Sequence, residues 1–190
     1  MAWRLARAAA ILLLSTACTP SNSPDPGAFD ASQYPPIRLT VGNIEVASAA
    51  QYPADLNFIA RRRSEQLAQD AQTFLRSRLV AAGGADFARA TVEEATLIEG
   101  ARPASGGALS TAPNWEMVGV LALKVAIIDG LGIEQSFATS RVEIKRSLSQ
   151  RAGVEAKDNF ARTMINDLIA ASSRELETSI DRNLADRKSS

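Results

Sequence analysis

The residues able to do chemistry are few. Cys18 is the only cysteine, histidine is absent, and the remaining candidates are the neighbouring carboxylates Glu93-Glu94 and the cationic run Arg61-Arg62-Arg63. Without histidine and with a single thiol, zinc sites, haem ligation, Ser-His-Asp triads and Cys-His dyads all lack essential members. Carboxylate catalysis remains open in principle, but adjacent residues in a strand point to opposite faces, so Glu93 and Glu94 make a poor acid/base pair. Three cations near the start of a helix oppose its dipole and contribute little to it. Arg61, Arg62 and Arg63 therefore read as a solvated face, dispensable for folding, or as a contact for lipid phosphates or an acidic partner. No catalytic residue, cofactor or metal site is expected, and the chain reads as a non-enzyme.

Cys18 gains its meaning from what precedes it. Arg4 and Arg7 supply a basic start, residues 8–14 a short apolar run, and Ser15-Thr16-Ala17 the small residues a signal peptidase requires. The segment resembles a bacterial lipoprotein signal, which implies a leader of residues 1–17, cleavage before Cys18 and lipidation of its thiol. Ser15 and Ala17 would also suit an ordinary secretory peptidase. A lone free thiol is a liability in an oxidising compartment, however, and thioether formation consumes it. The apolar run is far short of the roughly 20 residues of a spanning helix. Thr19, as a residue other than Asp after the cysteine, implies through the same resemblance an outer-membrane address, with the domain in the periplasm.

Composition bounds the rest. The chain has 190 residues and balances 21 basic against 21 acidic ones, with Arg4 and Arg7 inside the leader. That length suits one domain with a sizeable core, and nothing in the charge resembles a nucleic-acid footprint. Residues 18–36 carry Pro20, Pro24, Pro26, Pro35 and Pro36 among few large apolar side chains and read as an extended tether.

The elements follow from periodicity. Ile37, Leu39 and Val41 alternate as a half-buried strand, and the phase slips at Gly42-Asn43 before Ile44 and Val46, which reads as a β-bulge or a hairpin turn. A helix is predicted over 56–82, capped by Asp55, closed by Gly83-Gly84, and striped by Leu67, Ala71, Phe74, Leu75 and Leu79. A strand over 88–98 contains a second phase slip at Glu93-Glu94. Residues 100–113 form a patternless Gly/Ala/Ser/Pro loop that reads as mobile or as a contact site. Residues 115–128 are apolar on both parities except at Glu116 and Lys124, which predicts a central strand or an apolar surface left for a partner. Asp129-Gly130 turns the chain into a more polar return strand over 133–146, with Ala138, Ser140, Val142 and Ile144 inward. A last helix spans 154–185, striped by Phe160, Met164, Leu168, Leu176, Ile180 and Leu184. Its stripe suits core packing or a helix partner. Residues 186–190 read as a polar tail.

The order β-α-β-β-β-α, with both helices striped on one side, predicts a single α+β domain over 37–185. It is a two-layer sandwich in which a mixed four-stranded sheet carries two helices on one face. The second face of the sheet should be partly exposed, formed by one parity of the central strand, and should serve self-association, lipid or a partner. With the lipidated cysteine and tether, "VGVLALKVAIIDGLGIEQSFATSRVEI" followed by "AKDNFARTMINDLIAASSRELETSI" resembles small envelope lipoproteins of the LPS-assembly and ABC-transport auxiliary kinds. The resemblance implies a non-enzymatic accessory subunit that docks on a transporter or outer-membrane barrel, possible lipid contact included, in lipid or LPS trafficking. An activator of a cell-wall synthase or other periplasmic enzyme needs the same tether and is the alternative.

Overall fold

The computed structural model describes residues 30–102, 114–149 and 151–189. It is the expected two-layer α+β sandwich. Strand β1 is Ile37–Leu39, β2 Asn43–Ser48, α1 Phe58–Arg78, β3 Leu79–Ala81, β4 Phe87–Arg102, β5 Asn114–Ile128, β6 Glu134–Ser149 and α2 Val154–Asn183. The main sheet has the order β2-β4-β5-β6, with β2 parallel to β4 and the other neighbours antiparallel.

One parity of every strand faces the helices. Ala88, Ala90 and Val92, then Ala95 and Leu97 beyond the slip, are buried with Met117, Leu121, Leu123, Val125, Ile127 and Ala138. The register shift lies between Val92 and Glu94, so the second predicted bulge is real and restores the inward phase of β4. Leu67, Ala71, Phe74 and Leu75 of α1 and Met164, Leu168, Ile169, Leu176 and Ile180 of α2 close the core from above. Gly119 interrupts the large side chains of β5. A β-carbon there would lie 2.5 Å from Leu168 Cδ1, so the missing side chain is the space α2 occupies.

The start of the domain departs from expectation. The slip at Gly42-Asn43 is neither a bulge nor a hairpin turn, because the chain changes sheet there. β1 pairs in parallel with β3 in a separate two-stranded sheet, while β2 joins the main one. The change needs a close backbone crossing, and Gly42 permits it: a β-carbon at that position would lie 2.7 Å from the Gly84 carbonyl oxygen. Accordingly α1 ends at Arg78 and not at residue 82, since Leu79, Val80 and Ala81 are taken as the partner strand of β1. Gly83 (φ 95°) and Gly84 (φ 150°) turn β3 toward β4 rather than capping the helix. Asn57, not Asp55, caps α1, its Oδ1 accepting from the Ala60 amide at 2.9 Å.

Both ends of the chain lie against this small sheet and the end of α1. A 3-10 turn at Ala31–Gln33 leads to Tyr34, whose ring meets Phe74 edge-on at 5.6 Å. Arg78, buried at 2% exposure, donates to the Pro35 carbonyl and pairs with Glu177 of α2 at 2.6 Å. Residues 30–36, expected within the tether, therefore pack on the domain. The polar stretch after α2 does the same. The Thr40 amide donates to the Arg187 carbonyl (2.7 Å), the Ser189 amide to that of Arg38 (2.9 Å), and Arg187 pairs with Asp86 at 2.6 Å.

Candidate functional site

Of the residues singled out from sequence, Cys18 and residues 103–113 lie outside the described residues. Glu93 and Glu94 are separated by the bulge. Glu93 is exposed and Glu94 is spent on Arg141 at 3.1 Å, so they form no pair.

The second face of the sheet is exposed only in part: Ile98 of β4 (41%) and Phe137 of β6 (50%) stand open on it, as expected of an uncovered face. Among the described residues no element covers it, yet Val120, Ala122, Ala126 and Ile128 are each 8% exposed or less. Neighbouring long side chains account for this. Ala122 lies between Glu94 of β4 and Arg141 of β6, and those two form their ion pair across the small side chain. Arg89 pairs with Glu45 (3.1 Å), Lys124 with Glu134 (2.9 Å) and Lys145 with Glu143 (2.8 Å), while Lys124 also lies over the Phe137 ring at 4.8 Å. Small apolar residues beneath stems of charged ones are shielded without a further layer.

A more open apolar surface lies on the helix layer, where α1 and α2 both begin. α1 presents Ile59, Arg63, Gln66 and Asp70 at steps of four, three and four. α2 presents Val154, Asp158, Ala161 and Ile165 at the same steps, so the two lines face each other across a groove of about 730 Å³. Phe58 (76% exposed), Ile59 (51%) and Val154 (79%) stand at this groove, and Arg62, Lys157 and Arg162 flank them. Side chains of this size burying so little of themselves in one place make an open apolar patch.

Arg63 holds the groove together. Its guanidinium bonds Glu99 of β4 and, at 2.7 Å, Asp158 of α2, and it is only 15% exposed. The arginine run is thus not a uniformly solvated face: Arg63 ties three elements, Arg61 reaches the Pro53 carbonyl at 3.4 Å, and Arg62 is exposed. The next residue, Ser64, is fully buried, donating to the Ala60 carbonyl and accepting from the Leu97 amide at 2.9 Å. β2 pairs with β4 only as far as Val92, so α1 supplies through Ser64 a partner for β4 where β2 has ended.

The electrostatics of the groove are mixed but lean positive. Glu99 and Asp158 are both engaged by Arg63. Burial pushes the Asp70 carboxyl above its ordinary value, partly offset by the hydrogen bond from Gln66 at 2.9 Å. Lys157 lies 5.2 Å from the centre of the Trp115 ring, which meets Phe160 edge-on, and among the described residues Arg162 donates to the neutral Asn159 at 2.5 Å. α2 starts at Gly153 with no side-chain cap, so its first amides stay open toward this end. Among the described residues no group of three or more His, Cys, Asp and Glu converges as metal ligands would.

The sequence carried a partial signal for this groove that periodicity alone did not reveal. Val154 continues the buried stripe of α2 seven residues before Ala161, beyond the point where the sheet can cover it. Phe58 and Ile59 lie off the stripe of α1, where an apolar side chain has no core to enter.

No family model matches the chain, and no curated protein matches it. Among solved structures it is similar to a minor lipoprotein from Acinetobacter baumannii (17% identity, covering 80% of this chain and 98% of that one, TM-score 0.41). It is also similar to rare lipoprotein B from Shewanella oneidensis (15%, 72% and 92%, TM-score 0.38) and to lipoprotein B from Nitrosomonas europaea (12%, 75% and 85%, TM-score 0.43). Likenesses of this degree carry no argument about function.

Proposed function

We propose that the chain is a small envelope lipoprotein, anchored through Cys18 in the outer membrane, that acts in the periplasm as a non-enzymatic interaction subunit. The observation that carries the docking part is the groove between α1 and α2, where Phe58, Ile59 and Val154 stay exposed beside Arg62 and Arg162. The anchoring part rests on the leader and the lone thiol. In this reading the protein serves lipid or LPS trafficking by holding a protein component of the machinery. The charged heads of Arg62, Lys157 and Arg162 at the groove would be left without water beneath an acyl chain, which favours a protein occupant.

The test is cross-linking in the intact envelope, with a photoreactive amino acid placed at Val154 in one strain and at Thr139, on the opposite sheet face, in another. A discrete adduct from position 154 and none from 139 supports groove docking. Adducts only from 139 return the docking surface to the sheet, and adducts from neither end the interaction reading. Separation of inner and outer membranes on a density gradient tests the address.

A further inference from the structure

We propose that the groove between the first turns of α1 and α2 receives an acidic, apolar-tipped segment of a protein partner. Its carboxylates would meet Arg62 and Arg162, and an aliphatic or aromatic side chain would lie against Phe58 and Val154. The inference rests on the docking reading above and names the chemistry of the occupant.

Charge complementarity carries it. Seven ionisable groups face the groove: the cations Arg62, Arg63, Lys157 and Arg162, and the carboxylates of Asp70, Glu99 and Asp158. Arg63 sits between Glu99 and Asp158, and the four cations against three carboxylates leave the groove one positive charge in excess. Arg62 has no ion-pair partner among the described residues, Arg162 bonds a neutral amide, and Lys157 rests on the Trp115 ring. Asp70 accepts from the neutral amide of Gln66 and forms no ion pair among the described residues. Arg62 and Arg162, without an ion pair among the described residues, therefore stand at a groove with one positive charge in excess and an open apolar rim, and the amino-terminal ends of two helices add to the positive field. A basic or neutral occupant would leave these cations uncompensated on desolvation, whereas carboxylates form charge-assisted hydrogen bonds with the two arginines. An apolar anchor surrounded by such polar contacts is the usual anatomy of a protein contact.

The probe is a random peptide library panned against the full chain in detergent micelles, with phosphatidylglycerol vesicles as a parallel arm. Selected peptides are expected to carry Asp or Glu beside a large apolar residue. They should lose at least about tenfold in affinity, or about 1.4 kcal/mol, on the double substitution Arg62→Glu, Arg162→Glu and again on Val154→Asp. All three positions are exposed, so the melting temperature should not move. Peptides with their acids changed to lysine should regain binding to the charge-reversed variant. Selected peptides that are basic or uncharged, or that ignore these substitutions, overturn the proposal. So does tighter binding of the vesicles through Arg62 and Arg162, which would identify the occupant as a lipid headgroup. Acid-specific failure with a persistent cross-link from Val154 removes the occupant and leaves groove docking in place; loss of both removes groove docking as well.

Discussion

Single side chains decide more here than their types suggest. Arg63 and Arg62 are neighbours in sequence, yet one is bound by two carboxylates from different elements and the other faces water. Arg63→Ala should therefore cost about 2–3 kcal/mol, because Glu99 is left half-buried without its partner, whereas Arg62→Ala should change stability by less than about 0.5 kcal/mol. Urea denaturation of the two variants side by side measures the contrast. At Gly119, an added methyl meets Leu168 at once, and Gly119→Ala should cost about 1–3 kcal/mol by pushing α2 from the sheet. Asp70 acts in the opposite sense. Burial raises its carboxyl pKa in the folded chain, so the folded state holds the proton more tightly and stability falls as pH rises from the ordinary value of 3.8 through the raised one. Asp70→Asn should thus raise the melting temperature at neutral pH and lose that advantage below the unperturbed value. A thermal melt series across that range checks the sign.

At the level of elements, two surfaces change identity once the strands are paired. β5 is apolar on both parities, but its parities are unequal. Leu121, Leu123, Val125 and Ile127 lie under helices with no exposure, while Ala122 and Ala126 are shielded only by neighbouring side chains. A glutamate at Leu121 has no route to water and should cost about 4 kcal/mol or more. A glutamate at Ala122 can push between Glu94 and Arg141 to solvent and should cost less than half as much. Denaturant midpoints of the two variants distinguish them. The second element is the two-stranded sheet of β1 and β3, which the residues after α2 extend through the Leu39–Lys188 bridge. Removing residues 186–190 takes away that bridge and the Arg187–Asp86 pair, and should cost about 1–3 kcal/mol while leaving the main sheet intact. Hydrogen exchange should show the loss of protection first at Thr40 and Gly42, whose amides bond to Arg187 and Asp86.

The molecule as a whole divides its tasks between two faces of one sandwich. The sheet face is laced by ion pairs and leaves only Ile98 and Phe137 as large exposed apolar side chains, and the helix face opens where the two helices begin. Under the proposed anchoring, Cys18→Ala should move the protein from the membrane fraction to the soluble fraction without changing its melting temperature, because none of the core contacts of the described residues is altered. Fractionation with mass spectrometry of the N-terminal peptide tests both the thioether and the cleavage site.

The sequence by itself determined the helices, the long strands and the inward parity of each. Burial against one layer imposes a period of 3.6 or 2 on apolar residues, and that period is written in the order of Leu67, Ala71, Phe74 or of Leu121, Leu123, Val125. It also determined the second bulge, since the change of parity between Val92 and Ala95 is a local fact. The same kind of slip at Gly42 had a different outcome. Whether a strand bulges, turns or changes sheet depends on which distant segment offers it hydrogen bonds, and only the folded chain brought Leu79–Ala81 and residues 187–189 to β1. The groove was settled at that level too. Exposure of Phe58 and Val154 beside Arg62 and Arg162 is a relation between two helices almost 100 residues apart, set by where the sheet beneath them ends, and no periodicity within either helix encodes it.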